Sequence, residues 1–133
     1  MSPEKKSLNL KKEIAGGVEE AVQKITAALS KQGFGILTRI DFHQKMQEKL
    51  GEKVPPTVIL GACNPRLAFE AWKVNTDMTS LIPCNAVVRD VGAGRVSVEL
   101  AKPSMMLEAL GDAKLSSAAA EADRMLASAL EDL

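Results

Sequence analysis

Apolar side chains recur along this chain with two different periods, and the switches between them outline its elements. Leu8, Leu10 and Ile14 alternate weakly with lysines over Ser7–Ile14, which predicts an edge strand broken by Gly16-Gly17. Val18, Ala21, Val22, Ile25, Ala28 and Leu29 then share one face at helical spacing. Glu19 and Glu20 occupy the first turn of that helix and Lys31 the last, the signs its dipole favours, and Gly33 ends it. Phe34–Ile40 reads as a strand weakened by Gly35. Asp41 and Gln44 have capping-box spacing, and Phe42, Met46 and Leu50 form an apolar stripe up to Gly51, so a short second helix is expected. Pro55-Pro56 excludes helix and opens Thr57–Cys63, which is apolar and β-branched enough for a buried strand.

Asn64 is placed to cap a third helix, with Pro65 at its first position, where a missing N–H costs nothing. Leu67, Ala68, Ala71 and Trp72 continue that helix. Asn75–Ile82 is expected to be a loop, and Pro83 to start a strand over Cys84–Asp90. Gly92 and Gly94 mark a hairpin turn into Arg95–Ala101, which alternates as the partner strand. Pro103-Ser104 opens a helix of one or two turns ending at Gly111. Leu115, Ala118, Ala119, Ala122, Leu126, Ala129, Leu130 and Leu133 define a last amphipathic helix. The order β-α-β-α-β-α-β-β-α-α predicts an α+β fold, a two-layer α/β sandwich with a mainly antiparallel five-stranded sheet. A parallel three-layer arrangement is the alternative, because helices separate the first four strands. With 133 residues, no repeat and no linker, positions 1–133 read as a single domain.

Charge changes the picture by exclusion. The 17 basic and 17 acidic residues cancel, and no basic stripe is visible. Phe34, Phe42, Phe69 and Trp72 are the aromatic residues, too few for a stacking platform, so nucleic acid is not an expected partner. Apolar runs such as Thr57–Cys63 are too short to span a bilayer. The N-terminal MSPEKKSLNLKKE has lysines but no apolar segment or cleavage site of a signal peptide. The expectation is a soluble cytoplasmic protein with reduced thiols and no membrane partner.

Candidate chemistry gathers at two stretches, Cys63-Asn64-Pro65 and Pro83-Cys84-Asn85, which hold the only two cysteines. Cys63 lies at a strand end just before a helix N-terminus, where N–H groups and the dipole can stabilise a thiolate or hold an anion. If the two strands are antiparallel neighbours, Cys84 meets it; if parallel, the cysteines lie roughly 20 Å apart. Cys63, Asn64, Pro65, Cys84 and Asn85 are therefore the candidate ligand-binding residues, for a small molecule, an anion or a soft metal. Cys63, Cys84 and a methionine would suffice for a cuprous ion, although two cysteines fall short of a four-ligand zinc site. No cofactor is assigned. Thiol catalysis or a Cys63–Cys84 redox pair is one alternative, and a purely structural or interaction module another. His43, the only histidine, reads as a solvated surface residue. Gly92 and Gly94 lack the lysine and helix of a phosphate loop. Phe69 and Trp72 share a helix face and are expected in the core, an exposed pair suiting a partner contact.

The runs FGILTRID at Phe34–Asp41, KLG at Lys49–Gly51, ILGACNP at Ile59–Pro65 and LIPCNAVV at Leu81–Val88 resemble a bacterial and archaeal family, domain of unknown function 302. The resemblance covers positions 18–130. It implies a compact sandwich like the TATA-box-binding-protein fold without DNA binding, a homodimer, and no assigned activity. It also takes in chains with Gly-Asn-Pro in place of Cys63-Asn64-Pro65, so it marks Asn64 and Pro65 more firmly than Cys63.

Overall fold

The computed structural model describes residues 7–133; positions 1–6, including the first part of the lysine-bearing N-terminus, lie outside the described residues. Five strands, β1 (Asn9–Ala15), β2 (Gly35–Asp41), β3 (Thr57–Cys63), β4 (Cys84–Gly92) and β5 (Arg95–Ala101), form one sheet in the order β1-β5-β4-β3-β2. Every neighbouring pair is antiparallel, which excludes the parallel alternative. The helices are α1 (Val18–Lys31), α2 (Phe42–Leu50), α3 (Pro65–Val74), α4 (Pro103–Glu108) and α5 (Ser116–Glu131). The segment expected to be a loop after α3 instead winds into a 3-10 helix, Thr76–Leu81, because the Asn75 side chain accepts the Asp77 N–H and starts the turn.

Strand alternation sends one set of side chains toward the helices. Val58, Leu60 and Ala62 of β3, Ala86 and Val88 of β4, and Val96, Val98 and Leu100 of β5 meet Ile25 and Leu29 of α1 and Leu126, Ala129 and Leu130 of α5. Each of the larger side chains in that layer contributes about 1.5–3 kcal/mol. The stripe read for α1 is the one it buries: Ala21, Val22, Ile25, Ala28 and Leu29. A second, smaller cluster stands apart, formed by Ala71, Met78 and Leu115 with Ile82, Leu107 and Leu110 against it. It joins α3, the 3-10 helix and α4 to the start of α5.

Two local expectations are corrected. Asp41 does not cap α2 with its side chain; its Oδ1 accepts from Arg39 Nη2 at 3.0 Å. Residues two apart on a strand share a face, so Arg39 reaches the carboxylate first, and Arg39 also binds Glu19 of α1. The stripe Phe42, Met46, Leu50 is not buried either: no residue of α2 is, and Leu50 is 68% exposed.

The opposite face of the sheet is polar at the β1–β5 side. Glu99 is buried there, accepting from Arg89 Nη2 at 2.7 Å, Ser97 Oγ at 3.2 Å and Asn9 Nδ2 at 3.4 Å, with Lys11 Nζ at 3.5 Å. Burial pushes its carboxyl up, but the Arg89 hydrogen bond, the Arg89 and Lys11 charges and Ser97 outweigh that and hold it below the usual range. A depressed folded pKa gives stability that is complete above the unfolded carboxyl pKa and lost as pH falls through the folded one. Thermal unfolding measured from neutral pH downward should therefore show Glu99→Gln losing part of the acid sensitivity of the parent below about pH 4, where unfolded glutamate takes up its proton.

Candidate functional site

The antiparallel pairing of β3 and β4 brings the end of one to the start of the other, and so unites the two cysteine-bearing stretches. Cys84 sits opposite Ala62, while Cys63, one position further, sits opposite Gly35. On a strand pair a one-residue offset means opposite Cβ directions, so the thiols are neighbours whose bonds from the backbone diverge. Both are free. Cys84 follows the parity of Ala86 and Val88, the side chains that enter the core.

A cavity of about 70 Å³ opens at this end of the sheet, enough for several water-sized molecules, each of which needs about 10–15 Å³. Cys63 and Cys84 both line it. Its remaining wall comes from α3, the 3-10 helix, α4 and α5, and six of the lining residues are alanines: Ala62, Ala68, Ala71, Ala118, Ala119 and Ala122. The space exists because these side chains stop at Cβ, at the seam between the two hydrophobic clusters. Met78 and Met106 also face it.

Its electrostatics are those of an apolar site. Burial raises both thiols; for Cys84, burial first, then the neighbouring Cys63 and Asp123, push it up to about 11. Neither is a ready thiolate at neutral pH, so the helix N-terminus beside Cys63 does not activate it. The donors of that N-terminus are largely engaged. Pro65 has no N–H, Leu67 N–H goes to Asn64 Oδ1 at 3.3 Å, and Ala68 N–H goes to the Asn64 carbonyl at 2.9 Å. At most the Arg66 N–H remains for an anion.

Asn64 is the cap the sequence predicts and more. It is buried, and its Nδ2 donates to the Gln32 carbonyl at 3.3 Å, after the end of α1, and lies 3.9 Å from Met125 Sδ of α5. One amide thus ties α1, α3 and α5 together beside the cavity. Asn64→Ala should lose about 1–3 kcal/mol in a denaturant titration, because it removes the cap on the buried Leu67 N–H and the donor to the part-buried Gln32 carbonyl.

Of the candidate residues, the structure brings Cys63, Asn64 and Cys84 to the cavity wall. Pro65 and Asn85 are not among its lining; Asn85 is exposed and alternates to the other face from Cys84. His43 is not a free surface residue: Thr57 N–H donates to its Nδ1 at 2.9 Å, so it closes the start of β3. That is the far end of β3 from Cys63, roughly 20 Å along the strand, and no Cys-His pair forms. Phe69 and Trp72 are exposed, not core: their rings stack at 6.1 Å with Lys73 Nζ 5.0 Å over Phe69. The helix turns its Leu67–Ala71 face to the interior and leaves the aromatic pair outside. The sequence offered a methionine beside the cysteines without saying which; it did not single out Met78, Met106 or the α5 alanines as lining this cavity, and the alanine repeat of α5 was the signal for the latter.

The family model for domain of unknown function DUF302 matches residues 10–133. The chain belongs to the DUF302 family. A crystal structure of an uncharacterised conserved DUF302 protein from Bacillus stearothermophilus is similar to it over 94% of this chain and 97% of that one, with 28% identity and a TM-score of 0.87. The curated proteins contain no match. The DUF302 fold seen here is thus shared, an antiparallel sheet covered by helices on one face. No helix among the described residues is long and apolar enough to cross a membrane.

Proposed function

We propose that this DUF302 protein is a binding protein whose cavity at the β3–β4 mouth takes a small neutral or soft ligand. One observation carries the reading: an alanine-walled space flanked by two thiols held protonated, at the seam of two apolar clusters. An apolar pocket with a few placed polar or polarisable groups is the usual form of a small-ligand site. An anionic ligand fits less well, because the α3 donors are engaged. Nucleophilic or disulfide chemistry fits less well too, given raised thiols, a distant His43 and diverging Cβ directions. We place the protein in a reducing, cytoplasmic setting, where two free thiols persist.

Filling the space tests the proposal. Ala119→Leu should keep or raise the unfolding temperature, as cavity-filling changes commonly do. It should abolish the chemical-shift response of cavity methyls to dissolved xenon in the parent protein. A parent protein that takes up no xenon, or a variant that takes it up equally, overturns the reading.

A homodimer belongs to the same proposal. Leu37, Ile40 and Phe42 stand exposed along and just after the edge strand β2, whose outer backbone groups can pair with a second copy. Sedimentation should then give twice the chain mass of 14.2 kDa, and a monomer at that mass overturns it.

A further inference from the structure

Four sulfur-bearing residues line one small space, and they come from four separate parts of the chain. Cys63 ends β3, Cys84 begins β4, Met78 lies in the 3-10 helix after α3, and Met106 lies in α4. The sheet register makes the two cysteines adjacent residues, and both line the same cavity.

We propose that the ligand of this cavity is a soft monovalent metal ion, cuprous copper, held by the thiols of Cys63 and Cys84 and by the thioethers of Met78 and Met106. The inference rests on the reading of the cavity as a binding site and gives it a chemical identity. Thiolate and thioether donors select Cu(I), which is satisfied with two or three soft ligands. A divalent ion of harder character has no comparable set: among the described residues, no three His, Cys, Asp or Glu side chains gather where they could hold a metal. The one carboxylate whose charge reaches Cys84, Asp123, is committed to the start of α4, where it accepts from the Ser104 N–H at 3.1 Å and from the Ser104 hydroxyl.

The step balances without an electron changing hands. Each S–H bond is replaced by an S–Cu bond, two protons leave to solvent, and copper stays monovalent. Affinity therefore rises with pH, as binding displaces two protons. Methionine, with three rotatable bonds, lets its sulfur close on the ion while its methylenes stay in the apolar wall.

Competition for copper under anaerobic, reducing conditions tests the assignment, with Cu(I) presented as its bicinchoninate complex to the full chain. The parent protein should withdraw one equivalent. Cys63→Ser and Cys84→Ser should each weaken binding by at least about 100-fold, beyond the ~10–100-fold seen when only an outer partner of a metal site is lost. The double variant Met78→Leu/Met106→Leu, close to isosteric, should also weaken it. Thermal unfolding of each apo variant confirms that it folds. X-ray absorption at the copper edge of the parent protein should show a first shell of sulfur alone. Copper left with the chelator, a cysteine variant that binds like the parent, or a nitrogen or oxygen shell overturns the proposal. Xenon uptake without copper binding defeats this inference alone, whereas loss of both defeats the binding-site reading as well.

Discussion

Gly61→Ala is expected to destabilise the fold by about 3 kcal/mol or more, at or above the top of the usual range for overpacking a tight site. A Cβ on Gly61 would stand 2.6 Å from Pro83 Cγ and would run into Thr38 Oγ1. Neither neighbour can give way cheaply. Thr38 is β-branched and fixed in β2 opposite Gly61, and the Pro83 ring is rigid and leads straight into β4. Relief would have to come from spreading β2 and β4 away from β3. Cys84 begins β4 directly after Pro83, so the same shift would move one thiol relative to the other. Denaturant unfolding measures the first effect and copper competition the second. A variant as stable as the parent would show that the close approach at Gly61 is not a real constraint.

One residue earlier on the same strand, the opposite change has a comparable effect. Leu60 is 2% exposed and lies in the main core. Leu60→Ala leaves a cavity there and should cost about 2–5 kcal/mol. The neighbouring helices α1 and α5 cannot collapse onto the gap, since Ala62 and Ala86 beside it are already small and the facing layer is close-packed. The unfolding temperature should fall by about 10 °C for a chain of this length. A loss under about 1 kcal/mol would mean that the layer repacks freely. The pair of substitutions separates the two faces of β3: one side has no room for a methyl, the other cannot spare an isobutyl group.

Most of this architecture was legible in the chain. The stripe from Ala21 to Leu29, the apolar block of β3 and the Gly92–Gly94 turn each matched a local rule with a single outcome. The antiparallel order, open between two arrangements, followed once β3 and β4 were seen to pair. What escaped depended on competition in space. Asp41 looked like a cap until Arg39 took its carboxylate. His43 looked free because its partner, Thr57, is fourteen residues away. Phe69 and Trp72 lie on the outer side of α3, a choice made by Leu67 and Ala71 facing inward. For the site, Cys63, Cys84 and Asn64 were nameable from their rarity and position. Met78 and Met106 were not, because Met78 falls in a stretch that reads as a loop, Met106 fits a short helix stripe, and only the closing of α4 against the 3-10 helix brings them to the same wall.

The place of β1 in the sheet bears on how the molecule assembles. Its one partner is β5, with Asn9 opposite Ala101 and Ala15 opposite Arg95, so this ladder must bring together strands about 80 residues apart. Closing so long a loop has an entropic penalty that the strand recovers slowly, because none of its residues is fully buried. The hairpin of β4 and β5 has no such delay. β1 should therefore dock last, after the layer of α1, α5 and the other four strands has formed. In the finished protein its amides should exchange with solvent deuterium ahead of the rest of the sheet.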